Sequence, residues 1–169
     1  MRSAQVLADG FGRIGEELRA ALEGADEALL TARPDPRANT LAWLAWHVAR
    51  VQDAQVAPLA RVEEVWTAQG WAERFALPFD TGATGYGQSP DDVGRVHAPA
   101  DLLLGYLDAA TAATLAYLER LTDDDLDVVV DEDWDPPVTL GVRLVSVLAD
   151  DLQHVGQAAY LRGLLDRAR

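Results

Sequence analysis

Three side chains in this sequence have the types and spacing to hold a cation between them: His47, Asp150 and His154. Asp150 and His154 stand four residues apart in TLGVRLVSVLADDLQHVGQAAYLRGLL, residues 139–165. At i and i+4 two side chains share one helix face, about 5–6 Å apart at Cβ, so both reach one ion. His154 also continues the ladder Leu140, Val147, His154, Leu161, whose seven-residue step faces a core. His47 sits in a second apolar segment, NTLAWLAWHVARVQD, one turn before Val51. An imidazole and a carboxylate among such neighbours need a partner, because burying an unpaired charge is costly. Together the three supply N, N and O donors, an open set that leaves a fourth position for water or substrate. The other reading is a neutral core histidine hydrogen-bonded to Asp150 without metal. Spacing alone does not decide whether His47 faces the pair.

The elements that must bring these groups together are helices. From residue 3 to about 32, Val6, Phe11, Ile14, Leu18, Ala21, Leu22, Ala25 and Leu29 recur at steps of three and four. Pro34 and Pro36 then end this helix. Asn39 or Thr40 caps a second, which runs to roughly Gln69 and carries His47, with Pro58 predicting a kink or break. Residues 70–98 are rich in glycine and proline and read as a long irregular crossover. Such a length without structure implies a specific task or a tight packing role. Pro99 and Asp101 suit the start of a third helix. After a short turn or helix at Thr122 and the loop VVVDEDWDPP, Thr139 caps the last one. Val128 to Val130 are too few to make a sheet. A Pro-containing turn followed by a Thr-Leu helix start occurs around Pro36/Thr40 and again around Pro137/Thr139, a weak internal repeat. The expected fold is all-α, one domain over residues 1–169: an up-down-down-up four-helix bundle with the crossover between helices two and three.

Composition narrows the chemistry. The 169 residues contain no cysteine, which excludes disulfides, thiolate ligands and a cysteine nucleophile. Thiol chemistry here requires a thiol from another molecule. All 14 basic residues are arginine, so Schiff-base lysines and a P-loop lysine are excluded as well. The net charge of -14 repels phosphate backbones and anionic lipid, which argues against nucleic acid and membrane partners. No run approaches the roughly 20 apolar residues of a membrane span. The charged N-terminus lacks an apolar signal core, so a cytoplasmic location is expected.

Asn39-Thr-Leu-Ala-Trp-Leu-Ala-Trp-His47 and Asp150-Asp-Leu-Gln-His154-Val-Gly-Gln157 resemble the DinB-like superfamily of four-helix metalloproteins. In particular they are similar to its actinobacterial branch, linked to mycothiol-dependent enzymes such as the maleylpyruvate isomerases. That resemblance covers nearly the whole chain. It implies a histidine ligand on the second helix, matched by His47, and a pair on the fourth. The first of that pair is usually histidine, and glutamate in the mycothiol-linked isomerases; Asp150 stands there in this chain, one methylene shorter than glutamate. The isomerases carry a further C-terminal domain that this sequence does not show, so isomerisation of maleylpyruvate is not expected.

A divalent ion with an open position acidifies bound water and deprotonates a bound thiol. The thiolate is the nucleophile. Mycothiol, or a similar low-molecular-weight thiol, is therefore the expected co-substrate of a metal-dependent S-transferase or isomerase-like enzyme. It would act on an electrophilic small molecule. Zinc leads, with nickel, iron and manganese as other ions. Two readings stand beside it: a hydrolase using metal-bound hydroxide, with Asp151 as general base or as a surface or supporting acid, and a non-enzymatic metal-binding stress-response module. A homodimer through an outer bundle face goes with the last of these. Trp43, Arg50, Arg143 and Gln157 are the candidate substrate contacts. The two arginines match a substrate carboxylate or a surface ion pair; Trp43 walls a pocket in one reading, though a tryptophan in an apolar helix is more often core. His97 lies in the crossover with no partner evident from spacing.

Overall fold

The computed structural model describes residues 2–168, and the chain is mostly helical. Four long helices dominate: α1 (Ser3–Leu22), α3 (Leu41–Ala60), α7 (Ala100–Leu118) and α8 (Leu140–Ala168). Between α1 and α3 lies the short α2 (Glu27–Thr31). Both α1 and α3 pack against α7 and α8. Helix α3 is the central one. Residues Leu41 through Arg50 are all buried, as expected of a segment apolar on every face. Thr40 caps it by accepting from the Trp43 N–H at 3.0 Å, which supplies one of the donors a helix start leaves unpaired.

Several boundaries differ from the sequence reading. The first expected helix breaks after Leu22, where Gly24 adopts φ +63° and Asp26 caps α2 by accepting from the Leu29 N–H. The second stops at Ala60, with Arg61 left-handed at its end, and does not run on to Gln69. Pro58 is accommodated in its last turn. The crossover is not structureless. The short α4 (Val65–Ala68) precedes it, and it holds α5 (Trp71–Phe75) and α6 (Pro90–Val93). Buried aromatics order α4 and α5 and the Ser89 cap orders α6; all three lack the periodicity of a long helix. Trp66, Trp71 and Phe75 pack around Tyr106 of α7, with ring centroids 5.0–5.9 Å away.

A second difference concerns VVVDEDWDPP. Val129–Asp131 (β1) pairs antiparallel with Val138–Thr139 (β2), so the expected loop is a small two-stranded hairpin. It follows a 3-10 turn at Asp124–Asp127 and leads straight into α8. Thr139 accepts from the Val142 N–H at 3.4 Å. Among the described residues, no helix is long and apolar enough to cross a membrane.

Candidate metal centre and its pocket

The site is assembled where α3 and α8 face each other. His47 comes from α3, and Asp150 and His154 come from consecutive turns of α8. One donor atom from each lies within 4.8 Å of the others. The Asp150 carboxylate stands between the two rings. Its Oδ2 is 3.7 Å from His47 Nε2, and its Oδ1 is 3.7 Å from His154 Nε2. That exceeds a hydrogen bond, so neither ring is the carboxylate-bonded core histidine of the metal-free reading. Two donors on one tetrahedral ion at about 2.0–2.2 Å would lie roughly 3.3–3.6 Å apart, close to what is found. Asp150 Oδ2 is also buried without any hydrogen-bond partner, an atom that a cation would satisfy. The residues present therefore fit one divalent ion.

The tautomers suit it as well. Nδ1 of His47 lies against the Thr84 carbonyl oxygen. A carbonyl only accepts, so Nδ1 carries the proton and Nε2 keeps its lone pair. His154 Nδ1 makes the equivalent contact with Gln157 Oε1 at 3.3 Å. Such outer partners fix ligand rings and raise their basicity. His47 is 5% exposed, and burial pushes its pKa below the ordinary imidazole range, so the ring stays neutral. The Trp43 indole stacks on His47, with centroids 4.5 Å apart and planes 12° apart. Its edge also meets His154 at 5.9 Å.

The crossover supplies the back wall, and the sequence showed its length but not this role. Thr84 provides the carbonyl for His47, and the next residue, Gly85, has φ +96°. A Cβ there would come within 2.7 Å of His47 Nδ1 and 3.0 Å of Trp43 Cζ2. Only glycine lets the backbone approach this closely in this conformation. The loop is held from both sides: Trp66 Nε1–H donates to Thr81 O at 2.9 Å, and Trp43 Nε1–H donates to Gln88 Oε1 at 2.8 Å.

Arg50 belongs to that support and does not line the pocket. It is fully buried, which corrects the surface-pair alternative. Its Nε–H donates to Ala83 O at 3.1 Å, and its Nη1 donates to Glu64 Oε2 at 2.8 Å and to the Tyr106 hydroxyl at 3.1 Å. The Tyr106 O–H donates in turn to Asp53 Oδ2, which also receives the Trp66 N–H. Burial raises the Tyr106 phenol well above its usual value, so it remains a donor. Asp53 and Tyr106 escaped sequence reasoning because each looks like an ordinary member of an amphipathic helix.

A pocket of about 850 Å³ opens from these three side chains. Of its lining residues Trp43, Gly85 and Val147 are buried, Val51 and Arg143 are half-buried, and Tyr86 and Trp134 stand open to solvent. Arg143 is engaged at both ends of its fork: Nη1 donates to Gln55 Oε1 at 2.9 Å, and Nη2 pairs with Asp131 Oδ2 at 2.6 Å. Gln157 lies outside the pocket and holds His154. His97 is exposed, bonded to Gly94 O, and away from the site. Asp151 is not a surface acid. It is 0% exposed, both carboxylate oxygens lack hydrogen-bond partners, and burial beside Asp150 pushes its pKa well up.

Residues 7–167 match the mycothiol S-transferase family. The chain belongs to that family. This bears out the DinB-like, mycothiol-linked resemblance. The chain is also similar to a solved structure described as the crystal structure of a conserved protein from Enterococcus faecalis. The two are 34% identical over 96% of each chain, with a TM-score of 0.90. No curated protein matches the sequence.

Proposed function

We propose that this member of the mycothiol S-transferase family is a metal-dependent enzyme joining a low-molecular-weight thiol, mycothiol or a close analogue, to an electrophilic small molecule. The observation that carries the reading is the convergence of His47, Asp150 and His154 at the inner end of a pocket large enough for two small molecules. The family match supports the thiol, and the absence of cysteine requires that it come from outside.

A divalent ion held by the three side chains would supply the charge that keeps a thiol as thiolate at neutral pH. Zinc suits two imidazoles and a carboxylate best. The chain's own residues do the rest. Thr84 and Gln157 fix the imidazole rings, Trp43 walls the site, and the α3–α8 packing excludes water from the inner side. In the transfer the sulfur forms a bond to the electrophilic carbon. The leaving group departs with the electron pair of the broken bond, and the thiol proton goes to solvent. We read the four long helices as one domain with up-down-down-up order, which the long connection between α3 and α7 supports.

The test is conjugation of mycothiol to 1-chloro-2,4-dinitrobenzene or a bimane halide, followed by mass spectrometry of the adduct, with elemental analysis of the same protein. Wild type should hold about one metal ion per chain and form the thioether. His154→Ala should lose the metal and the activity together. Full turnover of the electrophile without any thiol, or equal metal in wild type and His154→Ala, would overturn the reading.

A further inference from the structure

The outer pocket leaves two aromatic side chains facing water. Tyr86 is 93% exposed and Trp134 is 65% exposed, yet both line the cavity that leads to the ligands. They come from unrelated segments. Tyr86 stands between Gly85 and Gly87, both at positive φ, in the crossover turn that covers His47. Trp134 stands in the hairpin connection between β1 and β2. Full burial of such a ring is worth a few kcal/mol, and the fold forgoes it twice at the mouth of one pocket. Isolated exposed apolar residues are ordinary; two converging on one cavity mark a binding surface.

Charge says what kind of molecule that surface receives. Arg143 is the one arginine lining the pocket among the described residues, and its fork is taken by Gln55 and Asp131. Asp131 and Asp150 are the acidic side chains there, and the chain as a whole carries -14. A carboxylate or phosphate entering beside Tyr86 and Trp134 would meet no unpaired arginine, because Asp131 and Gln55 already take the Arg143 fork, and the chain's overall charge of -14 works against it. Arg143 is accordingly a positioning residue. By pairing with Asp131 of β1 it fastens the hairpin that presents Trp134, and it does not read a substrate anion.

We infer that Tyr86 and Trp134 form a platform for an uncharged, ring-bearing molecule whose flat apolar face lies against them. This deepens the proposed transferase reading by naming the substrate class of its outer pocket. The ring belongs either to an aromatic electrophile or to the sugar portion of the thiol, and the two share the same contact chemistry.

Isothermal titration calorimetry on the purified full chain separates these sources, using 2-naphthamide, its anionic counterpart 2-naphthoate, and methyl α-glucoside. One of the uncharged rings should bind about tenfold more tightly than naphthoate, and Tyr86→Ala and Trp134→Ala should each weaken it by about tenfold, with metal content unchanged. Loss of naphthamide binding in the variants assigns the platform to the electrophile; loss of glucoside binding assigns it to the thiol. If neither uncharged ring binds, if naphthoate binds as tightly, or if both variants bind like wild type, the platform does not exist. Because these are binding measurements without turnover, they stand even if no thioether forms, and a failed platform leaves the metal and thiol tests untouched.

Discussion

Gly85 leaves no room for a side chain above His47: a Cβ would lie 2.7 Å from Nδ1, the nitrogen that meets the Thr84 carbonyl. The crossover is thus shaped around the imidazole, and its φ of +96° is one that only glycine adopts readily. Gly85→Ala is expected to lower stability by about 1–3 kcal/mol and to displace either Thr84 or the His47 ring. Metal content and thermal melting of the variant, measured together, check this. A variant that melts like wild type and binds metal equally would show that the loop yields without touching the ring.

The same loop depends on Arg50. Its guanidinium is buried against Ala83 O, Glu64 and Tyr106, and removing it leaves Asp53 and Glu64 without their cation. Breaking a buried ion pair by removing one partner costs about 3–5 kcal/mol. Glu64 is partly open to solvent, so the lower end applies here. Arg50→Met should therefore shift chemical denaturation by about 3 kcal/mol, and it should weaken metal binding, because the Thr84 carbonyl is no longer held. Full stability in Arg50→Met would rule out the loop-anchoring role.

What the sequence made legible was set by what periodic patterns encode. Helical spacing placed Asp150 and His154 on one face, and the apolar run around His47 placed it inside. Neither fixes the angle between two helices, so their meeting was visible only in three dimensions. Arg50 looked like a substrate contact because burial of its charge depends on Asp53, Glu64 and Tyr106, which lie 3, 14 and 56 residues away. The β1–β2 hairpin escaped because strands this short owe their pairing to the helix they precede. Asp151 was read as a surface or supporting acid because its neighbour Asp150 faces the site. A turn of about 100° per residue sends the two to different sides.

A pH dependence follows from the turn before β1. Thr122 donates both its N–H and its O–H to Asp125 Oδ2, each at 2.7 Å, and this holds the carboxyl below its ordinary pKa. A carboxyl whose folded pKa is depressed adds stability that is complete above the unfolded value, about 3.9. That stability is lost as pH falls through the folded value. Asp125→Asn, which cannot ionise, should melt earlier than wild type at pH 7. The gap should close as the pH is lowered below 4. Melting curves at pH 7, 5, 4 and 3 check this; a gap constant across that range would mean that the carboxylate charge contributes nothing.

Asp151 gives the opposite kind of prediction, a gain on removal. It lies on the buried stripe of α8 with Leu144, Val147, Val155 and Ala158, and neither of its oxygens finds a donor. A buried polar group left unsatisfied costs about 1–3 kcal/mol, more if charged. Leucine removes both unsatisfied oxygens and continues the apolar stripe. Asp151→Leu is expected to raise stability by about 1–3 kcal/mol in denaturant titrations, with metal content near that of wild type, because Asp150 and His154 keep their places on the adjoining face. A fall in stability would show that the larger leucine strains this buried position by more than the unsatisfied oxygens cost. A fall in metal content alone would show that it orients Asp150 through the helix backbone.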